Sequence, residues 1–480
     1  MAKVLSIDPA VLKRLRDPPV YGYIDFDLSR EEKQVNTKRV LSTFVAVILV
    51  FGVSAASGQS NPAYIQFSPG EVKGALYKPD SGPAPHVGIL VMHRTSNVMG
   101  SLACTEPAKR GFMVLCMNPR SDNNEALVRW ETIALDVRSG VIFLRKQPGI
   151  TKVLLLGGSG GGPTMSFYQA VAEKGPSYCQ GPNKLVQCGN DLANLPRADG
   201  IIFRDAHPGN PVNGIRSLNP AIINEGRPDQ KNPELDPFNP ENGYNPKGPS
   251  NYSESFKKKY FKAQADRMNR LIDDALRKVA LMKEGKYHYP DDDAFVVVGG
   301  GGARLMELDL SIHHSTVRPQ KLLKNDGSIV TEIVKSVRRA NPSLASQSAT
   351  FENGTRFLTV RSFLSANATR GTDAMDGIDD CSTNNSTPCA LRSISVPVLI
   401  GAMGAHYFIR DNEMHHEVAA SADKDFIVIE GATHGITPCV RCEQTPGQYS
   451  NSVKNFLIMW RNGSTPGSDF RWKGRCQWKL

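Results

Sequence analysis

Five residues, Gly157-Gly158-Ser159-Gly160-Gly161, set a hydroxyl nucleophile between glycines, after the apolar run Lys152 to Leu156 and before a helical pattern from Pro163 to Glu173. In a G-x-S-x-G turn between a buried strand and a helix, the serine is lifted above the sheet on a tight bend that only small neighbours tolerate. The N–H of Gly160 then stands at a helix N-terminus, where it can face a developing oxyanion. The chemistry this predicts is attack by Ser159 on an electrophilic carbon. Two other uses of the glycines fail on residues. A phosphate loop of type G-x-x-x-x-G-K-[ST] fits Gly157 and Gly162 but meets Pro163 where lysine must stand. A dinucleotide fingerprint fits Gly158 and Gly160, but its third glycine is again Pro163, and no clear acidic ribose ligand follows.

Such a turn needs a sheet beneath it. Apolar runs of strand length occur at His86 to His93, Gly111 to Met117, Lys152 to Leu156 and Ala198 to Phe203, with helical spacing between them, notably Glu125 to Lys146. Alternating strands and helices predict an α/β fold, a doubly wound, mostly parallel sheet covered on both faces. The alternation stops after Asp205 and resumes with Val396 to Ile400, a helix Glu413 to Ala422, the strand Asp425 to Glu430 and a last helix Tyr449 to Arg461. The expected organisation is an N-terminal extension over 1–58, a core over 62–206, a cap or lid insertion over 207–394, and the rest of the core over 395–480. A long helix in the insertion, Ser253 to Glu284, places Phe256, Tyr260, Met268, Leu271, Ala275 and Val279 on one side and Lys257, Lys258, Lys259 and Lys262 near its start. Packing onto the core is the default role for that pattern; a lid over an apolar substrate or a basic face against a membrane surface are the functional ones.

With these residues in view, the chain resembles a serine hydrolase of the α/β-hydrolase superfamily over most of its length outside the insertion. The resemblance implies an oxyanion loop at His93-Arg94-Thr95-Ser96, where Arg94 stands in place of the usual glycine, so that the N–H of Thr95, or else of Arg94, joins that of Gly160. It implies a catalytic histidine at His434, within Gly431-Ala432-Thr433-His434-Gly435, and the order serine then histidine fits. It also implies an acid after Val396 to Ile400, but that place reads Gly401-Ala402-Met403-Gly404-Ala405-His406. Asp411 is the favoured carboxylate, with Asp205 and Glu413 as alternatives; Asp411 competes for a second role as helix N-cap. His406 is a substrate-binding or loop-capping residue on this reading. The expected activity is cleavage of a bulky or apolar small-molecule ester through an acyl-enzyme, without metal or organic cofactor. Amidase, thioesterase or C–C bond hydrolase activity is the alternative within the fold. A non-catalytic binding protein, suggested by Arg94 and the missing acid, is the alternative of another class.

Composition agrees with a globular chain: 480 residues, 40% hydrophobic and 22% charged, far from disordered or fibrous sequences. The formal charge of +10 attracts anionic surfaces without naming one, and no nucleic-acid-binding motif accompanies it. The run Leu41 to Ala56, preceded by Lys38 and Arg39 and followed by small residues, has the layout of a signal peptide. Export to the periplasm or cell exterior follows, with translation expected to begin at Val35; an anchor formed by 41–56 is the alternative. Cysteine spacing pairs Cys179 with Cys188, Cys381 with Cys389 and Cys439 with Cys442, leaving Cys104, Cys116 and Cys476. Close pairs in polar loops fit disulfides formed in an oxidising compartment. Neighbouring histidines such as His313 with His314 and His415 with His416 point apart, and no zinc-ligand spacing occurs.

Overall fold

Short apolar runs define twelve strands in the computed structural model, which describes residues 61–68, 72–122 and 124–459 together with two short strands, Phe470–Trp472 and Cys476–Trp478. The expected leader 41–56, the start at Val35 and the expected helix end at Arg461 lie outside the described residues. In chain order the strands are β1 (Ala63–Gln66), β2 (Lys73–Tyr77), β3 (Val87–Met92), β4 (Met113–Asn118), β5 (Lys152–Gly158) and β6 (Gly200–Arg204). Then come β7 (Ala294–Val297), β8 (Gln320–Leu323), β9 (Ile329–Glu332), β10 (Arg356–Thr359), β11 (Val398–Met403) and β12 (Lys424–Ile429).

Ten of these form one sheet in the order β1-β2-β4-β3-β5-β6-β11-β12-β8-β9, parallel from β4 through to β8 and antiparallel only at its two margins. Strands covered on both faces must be apolar throughout, and β3, β4 and β11 are buried at every position. Alternate residues feed two cores. Val153 and Leu155 of β5 pack with Trp130, Val137 and Phe167 on one face, while Leu154 and Leu156 join Cys104, Val453 and Phe456 on the other. Against the first face lie the helices Trp130–Arg145 and Gly161–Lys174, the latter buried from Gly161 through Val171. The chain leaves β3 toward β4 on one side and returns to β5 on the other. This reversal makes the sheet doubly wound and opens a crevice beyond the ends of β3 and β5.

Extra helical segments stand outside this framework, as in capped α/β-hydrolase folds. The long helix Glu254–Lys283 starts at Ser253, whose hydroxyl accepts the N–H of Phe256 at 3.2 Å. It buries Met268, Ile272 and Ala275 against Ile215, Phe295, Leu358 and Phe363, so its apolar stripe is core packing. β7 and β10 form a separate antiparallel pair. The segment 207–394 also supplies two strands of the main sheet. β8 runs parallel to β12, with Val428 opposite Leu322, and β9 folds back on β8. Four-residue strands at a margin carry too little apolar signal to be read from sequence.

Four disulfides join Cys104 to Cys116, Cys179 to Cys188, Cys381 to Cys389 and Cys439 to Cys442. The first links a helix to β4 across one turn of the chain, a pairing that spacing did not suggest. Such a set fits an oxidising, non-cytoplasmic compartment. Among the described residues, no helix is long and apolar enough to cross a membrane.

Candidate active site

Parallel strands all point their C-terminal ends at one edge of the sheet, and five adjacent strands lead there into polar residues: His93 after β3, Ser159 after β5, Asp205 after β6, His406 after β11 and His434 after β12. Ser159 has φ of +51°, and Asp205 has +45°. A side chain in the left-handed region costs on the order of 1–3 kcal/mol, and it is retained where surrounding contacts fix it. Here they do. The Ser159 N–H donates to the Arg204 carbonyl at 3.3 Å, and its own carbonyl accepts from Gly162 N–H at 3.0 Å and His207 N–H at 3.4 Å. The helix can start this close to the strand because Gly161 has no side chain; a Cβ there would lie 2.6 Å from the Met92 carbonyl oxygen.

His434 Nδ1 lies 2.6 Å from Asp205 Oδ2. That carboxylate is fully buried, and its Oδ1 accepts the Met403 N–H at 3.2 Å. Its own N–H donates to the Gly401 carbonyl at 2.7 Å, which ties the end of β6 to β11. His406 Nδ1 stands 2.8 Å from the same Oδ2, off the direction of a good hydrogen bond, and its ring stacks on His434 with centroids 4.4 Å apart. Burial opposes the charge on Asp205, yet His406 and then His434 overcome it and hold the carboxyl far below its ordinary range. Phe408 meets His434 edge-on at 5.7 Å.

The structure brings Ser159, His434 and Asp205 to one edge but not the favoured carboxylate. Asp411 is buried and receives Arg216 Nη1 at 2.9 and 3.1 Å. The helix that carries it, Ile409–Val418, begins before Glu413, so Asp411 lies in the first turn and is not its N-cap. Glu413 accepts the N–H groups of Val317 and Arg318 at 2.7 and 2.9 Å and also Gln320 and Arg410. Both carboxylates are thus committed to joining the helix Ile409–Val418 to the cap. The sheet explains the substitution: β6 is the direct neighbour of β11, so an acid after β6 occupies the place expected after β11.

The oxyanion side also departs from expectation at Thr95. Its N–H points at His93 Nδ1, 3.2 Å away, and Ser96 N–H donates to the same nitrogen at 2.9 Å. The N–H groups of Arg94 and Gly160 have no acceptor among the described residues. Burial first, and then the charges of Arg94 and Arg204, keep the His93 imidazole well below its ordinary pKa. A neutral ring whose Nδ1 accepts two N–H groups carries its proton on Nε2. That nitrogen lies over Gly160, where an added Cβ would meet it at 2.5 Å. Sequence reading singles out neither this role for His93 nor His207, whose Nε2 lies 3.4 Å from Arg94 Nη1. Arg94 also pairs with Glu125.

Asp205, His406 and His434 are also the group of described residues whose spacing could admit a metal ion. Their ligand atoms stand 2.6 and 2.8 Å apart, the first a hydrogen bond between Asp205 and His434. Ligand atoms around zinc, at about 2.0–2.2 Å from the ion, would stand roughly 3.3 Å from one another.

No protein-family profile and no curated protein sequence matches the chain. Among solved structures, it is similar to a hypothetical protein of Pseudomonas aeruginosa, at 12% identity over 88% of this chain and 99% of that one, with a TM-score of 0.35. It is also similar to brefeldin A esterase, described as a bacterial homologue of human hormone-sensitive lipase, at 11% identity over 87% and 80% of the two chains, with a TM-score of 0.36.

Proposed function

We propose that the chain is an exported serine hydrolase that cleaves a carboxylic ester, with Ser159 as nucleophile, His434 as general base and acid, and Asp205 as the orienting carboxylate. The observation that carries this reading is the short contact of buried Asp205 with His434 Nδ1, at the same sheet edge as a serine held at positive φ. With Nδ1–H bonded to a carboxylate, Nε2 is left unprotonated and can take the Ser159 proton. The serine oxygen then bonds to the carbonyl carbon, and the oxygen of that carbonyl becomes an oxyanion. Gly160 N–H, Arg94 N–H and His93 Nε2–H are its donors on this reading, replacing the expected Thr95. Collapse breaks the C–O bond to the alcohol, which leaves with the proton from His434. Water repeats the sequence on the acyl-enzyme and returns Ser159 with the free acid.

Of the two motives for a non-catalytic reading, Arg94 in the oxyanion loop and an absent acid, Asp205 answers the second. Fluorophosphonate labelling with turnover of p-nitrophenyl esters tests the proposal. Wild type should label at one site and Ser159→Ala should not; an unlabelled, inactive wild type with native circular dichroism would refute it.

A further inference from the structure

Both glycines beside Ser159 are overlaid by arginine side chains. A Cβ on Gly158 would lie 2.5 Å from Arg204 Nε and 2.8 Å from its Cζ, and a Cβ on Gly160 would run into Arg94 Nη1. Gly158 and Arg204 are register partners at the ends of β5 and β6, so this guanidinium is fixed beside the nucleophile by the sheet itself. The lack of a side chain at residue 158 is what admits it.

The cations around the site differ in how they are neutralised. Arg94 and Arg356 share Glu125, the latter at 3.8 Å, and Arg304 pairs with Glu307 and with the Ser217 hydroxyl at 2.8 Å. Arg204 has no such partner. Its Nε is buried without an acceptor, and none of its guanidinium nitrogens donates to a described residue. The neighbouring carboxylate, Asp205, has Oδ2 against two imidazoles and Oδ1 on the Met403 N–H. Of the other titratable groups facing this edge, His93 and His207 are kept neutral chiefly by burial. Arg204 is half-buried, with only the charge of its chain neighbour Asp205 favouring its protonated form. A cation partly withdrawn from water without a hydrogen-bonded counter-charge opposes folding, and an anionic ligand completes it. A guanidinium presents a planar fork of donors that matches a carboxylate, and the bare Gly158 lets that fork lie beside the nucleophile.

We propose that the substrate is an anionic ester, carrying a carboxylate a few bonds from the scissile carbonyl, and that Arg204 binds this carboxylate. The proposal rests on the nucleophile reading above and names the substrate class for it. Arg204 selects the substrate and takes no part in bond making; it holds the charged end while Ser159 reaches the carbonyl.

The test uses the full chain and three esters: p-nitrophenyl butyrate, mono-p-nitrophenyl glutarate with the charge on the acyl side, and 4-carboxyphenyl butyrate with the charge on the leaving group. The readout is kcat/KM for each charged ester divided by that for the neutral one, so partial unfolding cancels. Arg204→Gln should lower this ratio roughly 10- to 100-fold for one charged ester, the worth of a charge-assisted hydrogen-bond pair. Arg204→Lys should fall between. The ester that responds identifies the side on which the anion sits. Ratios unchanged by Arg204→Gln for both charged esters would overturn the proposal. Calorimetric binding of glutarate to Ser159→Ala, with and without Arg204→Gln, separates the two readings. Arg204-dependent binding by a chain that never labels with fluorophosphonate would sink the hydrolase and keep the anion site.

Discussion

Asn at position 205 would keep the shape of the carboxylate and reverse one of its hydrogen-bonding edges. Oδ1 must still accept the Met403 N–H, which stands 3.2 Å away, so the new amide nitrogen falls where Oδ2 now faces His434 Nδ1 at 2.6 Å. An NH2 group there can only donate, and it forces His434 into the tautomer with Nδ1 bare and Nε2 protonated. That ring cannot take the serine proton. In serine hydrolases this tautomer error costs about 10⁴ in kcat, equivalent to about 5.4 kcal/mol of transition-state stabilisation. Asp411→Asn provides the contrast. It leaves the buried Arg216 with a neutral partner, which costs about 3–5 kcal/mol of stability, but touches no reacting group. The pair is to be measured by p-nitrophenyl ester kinetics per active site, titrated with fluorophosphonate, together with urea denaturation. Asp205→Asn should lose turnover in the molecules that remain folded, with some loss of stability because the ionised carboxylate stabilises the fold, and Asp411→Asn should lose stability at nearly full turnover per folded molecule. A folded Asp411→Asn with kcat down a hundredfold, beside an Asp205→Asn retaining more than a tenth of wild-type kcat, would refute the assignment.

Three further outcomes are expected. His93→Asn keeps an acceptor where Nδ1 receives Thr95 and Ser96 but loses the Nε2 donor, so kcat should fall about 10²–10³-fold, whereas His93→Gln should keep more activity; the opposite ranking would reduce His93 to a loop cap. Acid should destabilise the fold between pH 6.5 and 4. Burial, against the pull of Asp411, holds His313 and His415 at about 4, so their stabilisation is complete above 6.5 and lost as pH falls through 4. Asp380, pushed up to about 6 by burial, acts in the reverse sense, its contribution present at low pH and lost as pH rises through 6. These three groups together account for a loss of about 3 kcal/mol from pH 7.5 to 4.5 at roughly 1.4 kcal/mol per unit, and flat urea midpoints across that range would contradict it. His93 and His207 act in the same direction as His313. Removing the Cys439–Cys442 disulfide with serines should cost about 2 kcal/mol, against about 3 for the longer Cys104–Cys116 loop, with equal Tm losses as the contrary result.

Much of the sheet is legible in the sequence because buried parallel strands are continuous apolar runs, and the glycine-flanked Ser159 sits where one such run turns into a helix. The observed β3, β5, β6, β11 and β12 lie within a few residues of the expected positions. The hidden part depends on lateral pairing. Asp205 and Met403 are 198 residues apart in sequence, and only the pairing of β6 with β11 makes them neighbours. An Asp just beyond a buried strand is visible in the sequence; that its strand adjoins the one expected to carry the acid is not. Asp411 attracts attention because it comes after the right strand, but the buried Arg216 that claims it belongs to the cap, whose fold carries no periodic signature. Thr95 is the expected donor because backbone N–H groups after β3 are the usual ones. The imidazole of His93, folding back onto its own loop, removes it.

The proposed site draws its nucleophile, acid and base from positions far apart in the chain, Asp205 and His434 being 229 positions apart. Loops of that length close late, since the entropy of joining distant residues must be met before their contacts form. A chain folded only as far as β6 would already display the serine on its bend, with the carboxylate beside it, yet no base could reach it. The last sheet strand to emerge, β12, brings His434, and it docks between β11 and β8 rather than at an edge. Regain of labelling during refolding would therefore time the insertion of that strand, making the reactive serine a clock for completion of the sheet.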